Sequence, residues 1–383
     1  MKARVIAYYL PQFHPIPEND EFWGPGFTEW VNVVKARPLF RGHYQPRIPA
    51  DLGFYDLRLP DIRKQQAQLA REAGIEGFCY WHYWMGNGKQ LLHRPFNEVV
   101  ATGEPDYPFC LAWANHDWKT ASWKKGIKDG IISRQQYLGK EDHILHFNTL
   151  LPAFKDHRYI KIDGKLLFAI FDPYRFEHVE EFMETWRQLA KDKGIGDFYF
   201  VALTNSTNTV IRKPEGGVAQ GRVMPDLKSS ANVYNNLLSL GFDGINSLGK
   251  SRAEMIASGK YKRAIKFKLH EKFSFLPTLR YNYPEVVKHF YAPEDAWENV
   301  FPSILAGWDR TPRTGDQEGV YINYTPESFQ KHIETALKVI EGKQPEHRIL
   351  FLRSWNEWGE GNYVEPDIKY GHGFLEAIHN AIK

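Results

Sequence analysis

The sequence of 383 residues lacks the marks of several common protein classes. Its two cysteines, Cys79 and Cys110, are too few for a disulfide framework, so we expect reduced and buried thiols. Lys and Arg number 49 against 46 Asp and Glu, and this balance gives no reason to expect a nucleic acid partner. No apolar run approaches the roughly 18 residues that span a bilayer, and no signal peptide pattern opens the chain. These absences predict a globular, cytoplasmic protein without an integral membrane segment.

Aromatic residues are abundant, with 25 Phe, 20 Tyr and 12 Trp making up 15% of the chain. A large core accounts for many of them. Many others stand beside His, Asn, Asp or Glu at points where a strand should end, a pattern typical of stacking surfaces for a flat ligand with polar groups at its rim.

Short apolar runs recur along the chain, and amphipathic stretches at 59–73, 179–191 and 326–341 separate several of them. Gly74 and Gly194 stand where helix ends are expected. The apolar runs cover residues 5–10, 75–81, 109–113, 166–171, 198–203, 242–248, 300–306 and 349–353.

Eightfold alternation of strand and helix predicts an α/β fold, a (β/α)₈ TIM barrel. A doubly wound open sheet is the alternative, weakened because no Gly-x-Gly-x-x-Gly follows the first strand. No linker interrupts the chain, so we expect one catalytic domain over residues 1–383. The segments 11–58 and 204–241 are predicted to be long βα loop insertions.

The strongest chemical motif is Ser-Trp-Asn-Glu-Trp-Gly-Glu-Gly at 354–361, directly after the eighth apolar run. Its two glutamates, Glu357 and Glu360, are candidate catalytic residues, because burial and mutual repulsion can leave one carboxyl protonated and the other ionised. Glycoside chemistry needs such a pair. The alternative is two exposed glutamates in a surface turn, which the adjoining Trp residues disfavour.

Other polar and aromatic residues cluster at predicted strand ends and could line a cleft that binds sugar hydroxyls. No His or Cys pair has metal-ligand spacing, so we expect no metal and no cofactor. Gly-x-Ser-x-Gly and phosphate-binding glycine loops are missing as well. The candidate substrate-binding residues are Tyr9, His82, Tyr83, Trp84, Asn115, His116, Asp172, Tyr174, Trp308, Asp309, Arg313, Asn356 and Trp358.

Segment 250–290 is basic, with ten Lys and Arg against three Glu. It is either a solvated helix face or a contact for an anionic glycan or a membrane-associated partner.

The motif Asn-Glu-Trp-Gly-Glu-Gly at 356–361 resembles the Asn-Glu-Trp-His-Glu-Gly signature of glycoside hydrolase family ninety-nine, the endo-α-mannosidases and endo-α-mannanases. The segments 26–33, 37–46 and 308–313 are similar to the WbsX branch, family-ninety-nine-like proteins of O-antigen and capsule loci usually labelled glycosyltransferases. The resemblance extends from Tyr8 to Pro366.

This resemblance implies a (β/α)₈ barrel that retains anomeric configuration. Glu357 would act as base on the 2-hydroxyl of the substrate, whose oxygen attacks the anomeric carbon to give a 1,2-anhydro sugar. Glu360 would protonate the leaving oxygen and then activate water. Gly359 stands where the hydrolases have His, which predicts a more open site on the leaving-group side.

Three functional interpretations follow. The first is a retaining glycoside hydrolase acting on an α-linked, manno-type or related polysaccharide. The second is a WbsX-type glycosyltransferase of O-antigen or capsular polysaccharide assembly. The third is a carbohydrate-binding barrel without catalysis, which the paired glutamates disfavour.

Overall fold

The computed structural model describes residues 1–119, 130–223, 226–259 and 278–383, together with positions 262, 265, 268 and 269. Eight parallel strands close into a barrel, because the first strand pairs with both the second and the last. The predicted (β/α)₈ TIM barrel is confirmed. The barrel strands are β1 (Arg4–Tyr9), β2 (Gly77–Gly86), β3 (Phe109–Trp113), β4 (Lys165–Ile170), β5 (Phe198–Thr204), β6 (Gly244–Ser247), β7 (Val300–Ile304) and β8 (Ile349–Leu352).

Helices surround the barrel and also occupy its loops. Three of them, Pro60–Glu72, Val179–Asp192 and Pro326–Ile340, fall on the predicted amphipathic stretches. Gly74 and Gly194 follow the ends of the first two as expected. In the described part of the chain the α-helices are α1 (Pro17–Trp23), α2 (Glu29–Lys35), α3 (Pro60–Glu72), α4 (Arg94–Thr102), α5 (Lys140–Phe154), α6 (Val179–Asp192), α7 (Ala231–Leu238), α8 (Lys250–Ser258), α9 (Tyr283–Val287), α10 (Thr311–Thr314), α11 (Pro326–Ile340) and α12 (Gly373–Ile382).

Two of the βα connections are long, as predicted. The segment 11–58 carries α1 and α2, and the segment 204–241 carries an antiparallel hairpin and α7. Shorter strands decorate the barrel ends at Lys89–Leu91, Trp118–Lys119, Ile131–Ser133, Lys161–Ile162, Asn208–Arg212, Val218–Arg222, Arg280–Asn282, Val320–Ile322, Asn356–Glu357 and Asn362–Tyr363.

Aromatic side chains fill the layer between the barrel and its helices. Trp186 of α6 lies with its ring centroid 4.8 Å from Phe168 of β4 and 5.3 Å from Phe198 of β5. Trp113 of β3 contacts Phe182 of α6 at 5.3 Å. Burying such rings stabilises the fold by about 1.5–3 kcal/mol each. A large share of the aromatic residues therefore serves the core rather than a ligand.

Strand β2 is longer than predicted and continues to Gly86. The residues 82–84, expected in a loop after the strand, belong to the strand itself. Their side chains consequently alternate between the two faces of the barrel wall.

Both cysteines are free and buried, as expected. Within the described ranges, no helix combines the length and the apolar character that crossing a membrane requires.

Candidate active site

The signature motif forms a tight hairpin at the carboxyl end of β8. Asn356–Glu357 pairs antiparallel with Asn362–Tyr363, and the residues between them form a 3₁₀ turn, Trp358–Glu360. Gly361 closes the turn at φ +58°, in the left-handed region, where a Cβ would also lie 2.7 Å from the guanidinium carbon of Arg47. The prediction of a tight loop is confirmed, and the loop lies at the barrel end where such folds build active sites.

A buried carboxyl supports this hairpin from below. Glu365 accepts hydrogen bonds from the indole nitrogens of Trp355 (2.8 Å) and Trp358 (2.6 Å), and from Tyr55 (2.9 Å) and Gln66 (2.6 Å). Burial raises the pKa of Glu365 to about 7, although these four donors act against it. These hydrogen bonds tie both tryptophans of the hairpin to one carboxyl and so hold it against the barrel.

Asn356 and Trp358 therefore lie under the loop rather than in the cleft. The amide of Asn356 exchanges hydrogen bonds with the backbone of Leu10, at 2.8 and 3.0 Å, and is fully buried. Trp358 stacks on Tyr363 at 3.7 Å and is fully buried too. These contacts correct the expectation that the two side chains touch substrate, because each is enclosed by protein.

Arg313 of α10, in the loop after β7, gathers three carboxylates around one guanidinium. Its Nη2 lies 2.5 Å from Oε1 of Glu357, its Nη1 donates to Oε1 of Glu360 at 2.7 Å, and its Nε donates to Oε1 of Glu29 at 2.9 Å. Nε of Arg310 lies 3.0 Å from the same oxygen of Glu360. The predicted catalytic pair is thus brought together, and Arg313 joins it as an ion-pair partner.

Glu29, the first residue of α2, was not among the predicted site residues. It is fully buried, and its Oε1 lies 1.7 Å from the position that a Cβ on Gly359 would take. The Glu29 carboxyl therefore fills the space beside Gly359, and a more open leaving-group side stays a prediction. The only sequence signal for Glu29 was its place inside the quoted motif at 26–33.

The three carboxyls have different proton affinities. Burial raises the pKa of Glu29 to about 7, against the opposing charge of Arg313. Burial also raises the pKa of Glu357, again opposed by Arg313. For Glu360 burial acts upward, but the charges of Arg310 and Arg313 outweigh it and the pKa is lowered. In this arrangement Glu360 is the more acidic member of the pair.

Asp309 anchors the loop after β7 instead of facing the cleft. Its Oδ2 accepts from His43 (2.9 Å), Gln45 (2.7 Å) and Arg47 (3.1 Å), and its Oδ1 accepts from Thr311 (2.6 Å). Burial by itself raises the pKa of Asp309, but the His43 hydrogen bond and the Arg47 charge hold it well below its usual range. With both oxygens engaged and no exposed surface, this side chain corrects the expectation of a contact with sugar hydroxyls.

The lumen side of the barrel mouth carries residues that the predicted set omitted. The ring of Tyr8 stacks on Trp81 at 4.7 Å and on Phe351 at 5.3 Å, and its hydroxyl donates to Asn246 of β6 across the barrel. Arg353, just past β8, lies 6.0 Å from the Tyr8 and Trp81 ring centroids. Its charge also acts on the pKa of both signature glutamates.

Tyr9, His82 and Trp84 lie on the opposite, helix-facing side of the wall. Tyr9 donates to Gln66 of α3 at 2.6 Å, and the ring nitrogens of His82 and His146 of α5 lie 2.8 Å apart. Burial lowers the pKa of His82 to about 3. Trp84 stacks on the same His146 at 4.5 Å. The expectation that these three residues line the cleft is corrected, because strand alternation turns them outward.

Tyr83 lies between His82 and Trp84 in β2, and its side chain is on the opposite face of the strand, toward Glu357. Burial raises its pKa, and the charge of Glu357 adds to that effect. Trp308 is buried beside Lys250, whose ammonium lies 4.3 Å from the ring centroid. The indole nitrogen of Trp308 has no hydrogen-bond partner among the described residues. Contacts of Tyr83 and Trp308 with substrate stay predictions.

The loops after β3 and β4 are tied together by Asn115. Its amide nitrogen donates to the backbone oxygen of Asp172 at 2.8 Å, and its oxygen accepts from the Asp172 nitrogen at 2.7 Å. Tyr174 is buried against Thr204, 2.5 Å away. His116 lies 5.2 Å from the ring of Phe171, and burial lowers its pKa. Burial raises the pKa of Asp172. Substrate contacts of these four residues stay predictions.

The basic segment 250–290 falls partly outside the described residues. In its described part, Arg252 is buried and donates to backbone oxygens, at 3.3 and 3.1 Å, and Lys250 pairs with Glu254 at 2.9 Å. In the part of the chain that the structure describes, no group of three or more His, Cys, Asp and Glu is arranged to hold a metal ion.

Two solved structures share this architecture. A glycoside hydrolase-like protein superposes with a TM-score of 0.59 at 13% identity, over 100% of this chain and 94% of that one. The GH99 endo-α-mannosidase from Bacteroides thetaiotaomicron, in complex with bis-tris propane, superposes with a TM-score of 0.51 at 14% identity, over 99% and 96%. At such identities the likeness shows a common fold.

Sequence comparison is more specific. The chain is 30% identical over 383 residues to the protein WxcX of Xanthomonas campestris pv. campestris strain B100. The match covers 100% of this chain and 50% of that protein, so the chain spans about half the length of the curated relatives it matches. The pattern of the family described as "Glycosyltransferase WbsX" matches residues 5–378, from the first barrel strand into the last helix. The chain therefore belongs to the WbsX family.

Proposed function

We propose that this barrel is a retaining enzyme that cleaves an α-linked, manno-type or related polysaccharide, with residues 1–383 acting as one catalytic unit. The observation that carries the proposal is the convergence of Glu357 and Glu360 on one guanidinium at the carboxyl end of the barrel. A buried carboxyl, Glu357, and a half-buried one, Glu360, with oppositely shifted pKa values form the arrangement that acid–base catalysis uses.

In the proposed reaction, Glu357 takes the proton of the 2-hydroxyl, and that oxygen attacks the anomeric carbon. The bond to the leaving oxygen breaks as Glu360 gives that oxygen a proton, and a 1,2-anhydro sugar results. Glu360 then takes a proton from water, which opens the three-membered ring, and Glu357 returns its proton to the 2-oxygen. Two inversions leave the anomeric configuration unchanged.

Arg310 and Arg313 put a condition on this assignment. A carboxylate held by two guanidinium groups is a poor acid, because protonation forfeits both charge-assisted contacts. Under the proposed assignment, bound substrate would displace at least one of the two arginines from Glu360. If the arginines stay in place, Glu357, with its raised pKa, is the better acid and the two roles are exchanged.

The test measures Glu357→Gln and Glu360→Ala on the polysaccharide, with the exposed Glu334→Gln as control. Each signature variant should lose ~10²–10⁴-fold in turnover. A substrate whose leaving group needs no protonation should rescue Glu360→Ala alone. If this substrate instead rescues a Glu357→Ala variant, Glu357 is the acid and Glu360 the base. Near wild-type turnover of both signature variants would place the active site elsewhere.

Stereochemistry separates this reaction from an inverting one. Proton NMR of the first-formed product, taken before mutarotation, should show the starting anomeric configuration. A 2-fluoro substrate should not react, because it has no 2-hydroxyl to deprotonate. Inversion, or turnover of the fluoro sugar, would exclude the anhydro sugar route.

The family description supports a second candidate, a glycosyltransferase. Its role in O-antigen or capsular polysaccharide assembly is what the sequence resemblance implies. The same pair would then activate a sugar hydroxyl in place of water. Incubation with an oligosaccharide acceptor, with and without nucleotide sugars, distinguishes the two, because a transferase lengthens the acceptor while a hydrolase releases reducing ends. A barrel that only binds glycan would do neither.

A further inference from the structure

A pocket lies directly behind the signature hairpin, residues 356–363, which carries Glu357 and Glu360. Its cavity volume of about 380 Å³ lies within the range of small-molecule sites. Segments from the loops after β1, β7 and β8 form its walls, together with the strand pair Arg280–Asn282 and Val320–Ile322. None of the predicted site residues except Asp309 borders it.

Three cations stand around this pocket, Arg41, Arg280 and Lys369. Each is exposed, and among the residues that the structure describes none of them forms an ion pair with a carboxylate. Aromatic rings hold two of the charged groups instead. The Arg280 guanidinium lies 5.0 Å from the centroid of Phe40, and the Lys369 ammonium lies 4.6 Å from that of Tyr44. Their charge is therefore free to meet an anion.

The pocket's own carboxylate is already neutralised. Asp309 forms its ion pair with Arg47 at 3.1 Å and a hydrogen bond with His43 at 2.9 Å, and it has no exposed surface. A buried pair of opposite charges contributes little field outside itself, so the three exposed cations set the sign of the potential in the pocket.

The pocket floor is joined to the catalytic loop by two hydrogen bonds. The backbone nitrogen of Asp309 donates to the backbone oxygen of Glu360 at 2.6 Å, and Arg47 donates to that of Gly361 at 3.0 Å. The pocket therefore lies against the backbone of the hairpin that carries the two glutamates.

We propose that this pocket binds a negatively charged sugar unit, bearing a carboxylate or a phosphate, of the glycan on which Glu357 and Glu360 act. The identity of that glycan rests on the proposed function, whereas the pocket's preference for an anion rests on the three cations alone. Guanidinium groups bind carboxylate and phosphate oxygens in pairs, and the walls of Phe40 and Tyr44 offer apolar surface to the sugar.

The test is calorimetric titration of the whole protein with trigalacturonate, glucose 1-phosphate and neutral maltotriose. The charged probes should bind more tightly than maltotriose, and less tightly as salt rises. In the double variant Arg280→Gln/Lys369→Gln their Kd should rise at least about tenfold, the factor that one lost charge-assisted contact gives. The exposed Lys191→Gln of α6 serves as the matched control and should leave Kd unchanged.

The two charged probes distinguish the two sources of charge, since tighter binding of one identifies the carboxylate or the phosphate. Equal affinity for charged and neutral probes, no binding of any probe, or unchanged affinity in a double variant with a wild-type melting curve would overturn the proposal. Because these probes bind without turnover, the result is independent of the catalytic assignment, which the Glu357 and Glu360 variants test separately.

Discussion

Replacing Gly359 by Ala tests whether the Glu29 carboxyl packs against the signature hairpin, residues 356–363. The backbone of Gly359 lies outside the left-handed region, so Ala brings no conformational strain of its own. The new methyl group would, however, lie 1.7 Å from Oε1 and 2.8 Å from the carboxyl carbon of Glu29. Glu29 is fully buried and held by Arg313, so one of the three residues has to move.

The expected cost follows from the packing. Inserting a methyl group into a filled, buried site costs about 1–3 kcal/mol. If Glu29 yields, Arg313 loses its Nε contact and no longer holds both signature glutamates in register, so turnover should fall as well. In a Glu29→Ala background the clash with the carboxyl is gone and Nε of Arg313, 2.9 Å away, is the remaining close atom, so the same Gly359→Ala change should cost less.

The assay is urea unfolding of the wild type, both single variants and the double variant, read as a double-mutant cycle. We expect a coupling energy of about 1–3 kcal/mol between the two positions. Gly342→Ala is the matched control, because that glycine also lies outside the left-handed region and a Cβ there would meet nothing within 4 Å.

Additive effects, within about 0.5 kcal/mol, would refute the reasoning. So would a Gly359→Ala variant with the stability and turnover of the Gly342→Ala control. Either result would mean that Glu29 does not occupy the space beside the hairpin.

Three further results are expected. Burial raises the pKa of Glu29 from 4.5 to about 7, so Glu29 binds its proton more tightly in the folded state, and the free energy of unfolding should fall by ~3 kcal/mol as pH rises from below 4.5 through 7. The variant Glu29→Gln should lose that part of the pH dependence. If urea unfolding shows the same pH dependence in Glu29→Gln as in the wild type, the assigned burial of Glu29 is contradicted. Tyr9→Phe should lose ~1 kcal/mol of stability with its hydrogen bond to Gln66 and keep its kcat, whereas Trp81→Ala should lose turnover. Loss of turnover in Tyr9→Phe, with turnover kept in Trp81→Ala, would place Tyr9 in the cleft. EDTA should leave the rate of polysaccharide turnover unchanged, and a loss restored by a divalent cation would show a metal requirement.

The fold could be predicted from the sequence because its signal is local. Each barrel strand is a short apolar run bounded by turn residues, and each of the eight predicted runs overlaps its observed strand. The helices at Pro60–Glu72 and Pro326–Ile340 likewise follow from apolar spacing within a single segment. Strand β2 was the exception, since aromatic residues at 82–84 read equally well as a ligand-binding loop.

The orientation of side chains along the strands could not be predicted as reliably. In a barrel wall buried on both faces, polarity no longer tells the lumen side from the helix side, so Tyr8 and Tyr9 carry the same sequence signal. Because neighbouring residues of a strand point to opposite faces, the alignment of the strand in the barrel decides which of the two tyrosines faces the lumen. Tyr8 faces the lumen with Trp81, while Tyr9 faces Gln66 of α3.

The sequence by itself determined the barrel, the position of the Glu357 and Glu360 pair at the end of the last strand, and the resemblance that names the family. Each of these features has its signal within short stretches of contiguous residues. Only the tertiary structure decided that Glu29 joins the pair through Arg313, two residues separated by 284 positions. It also decided that Asp309 is sealed beneath the loop by His43 and Arg47. Contacts of this kind depend on which loops the closed barrel brings to one end, and no local propensity encodes that meeting.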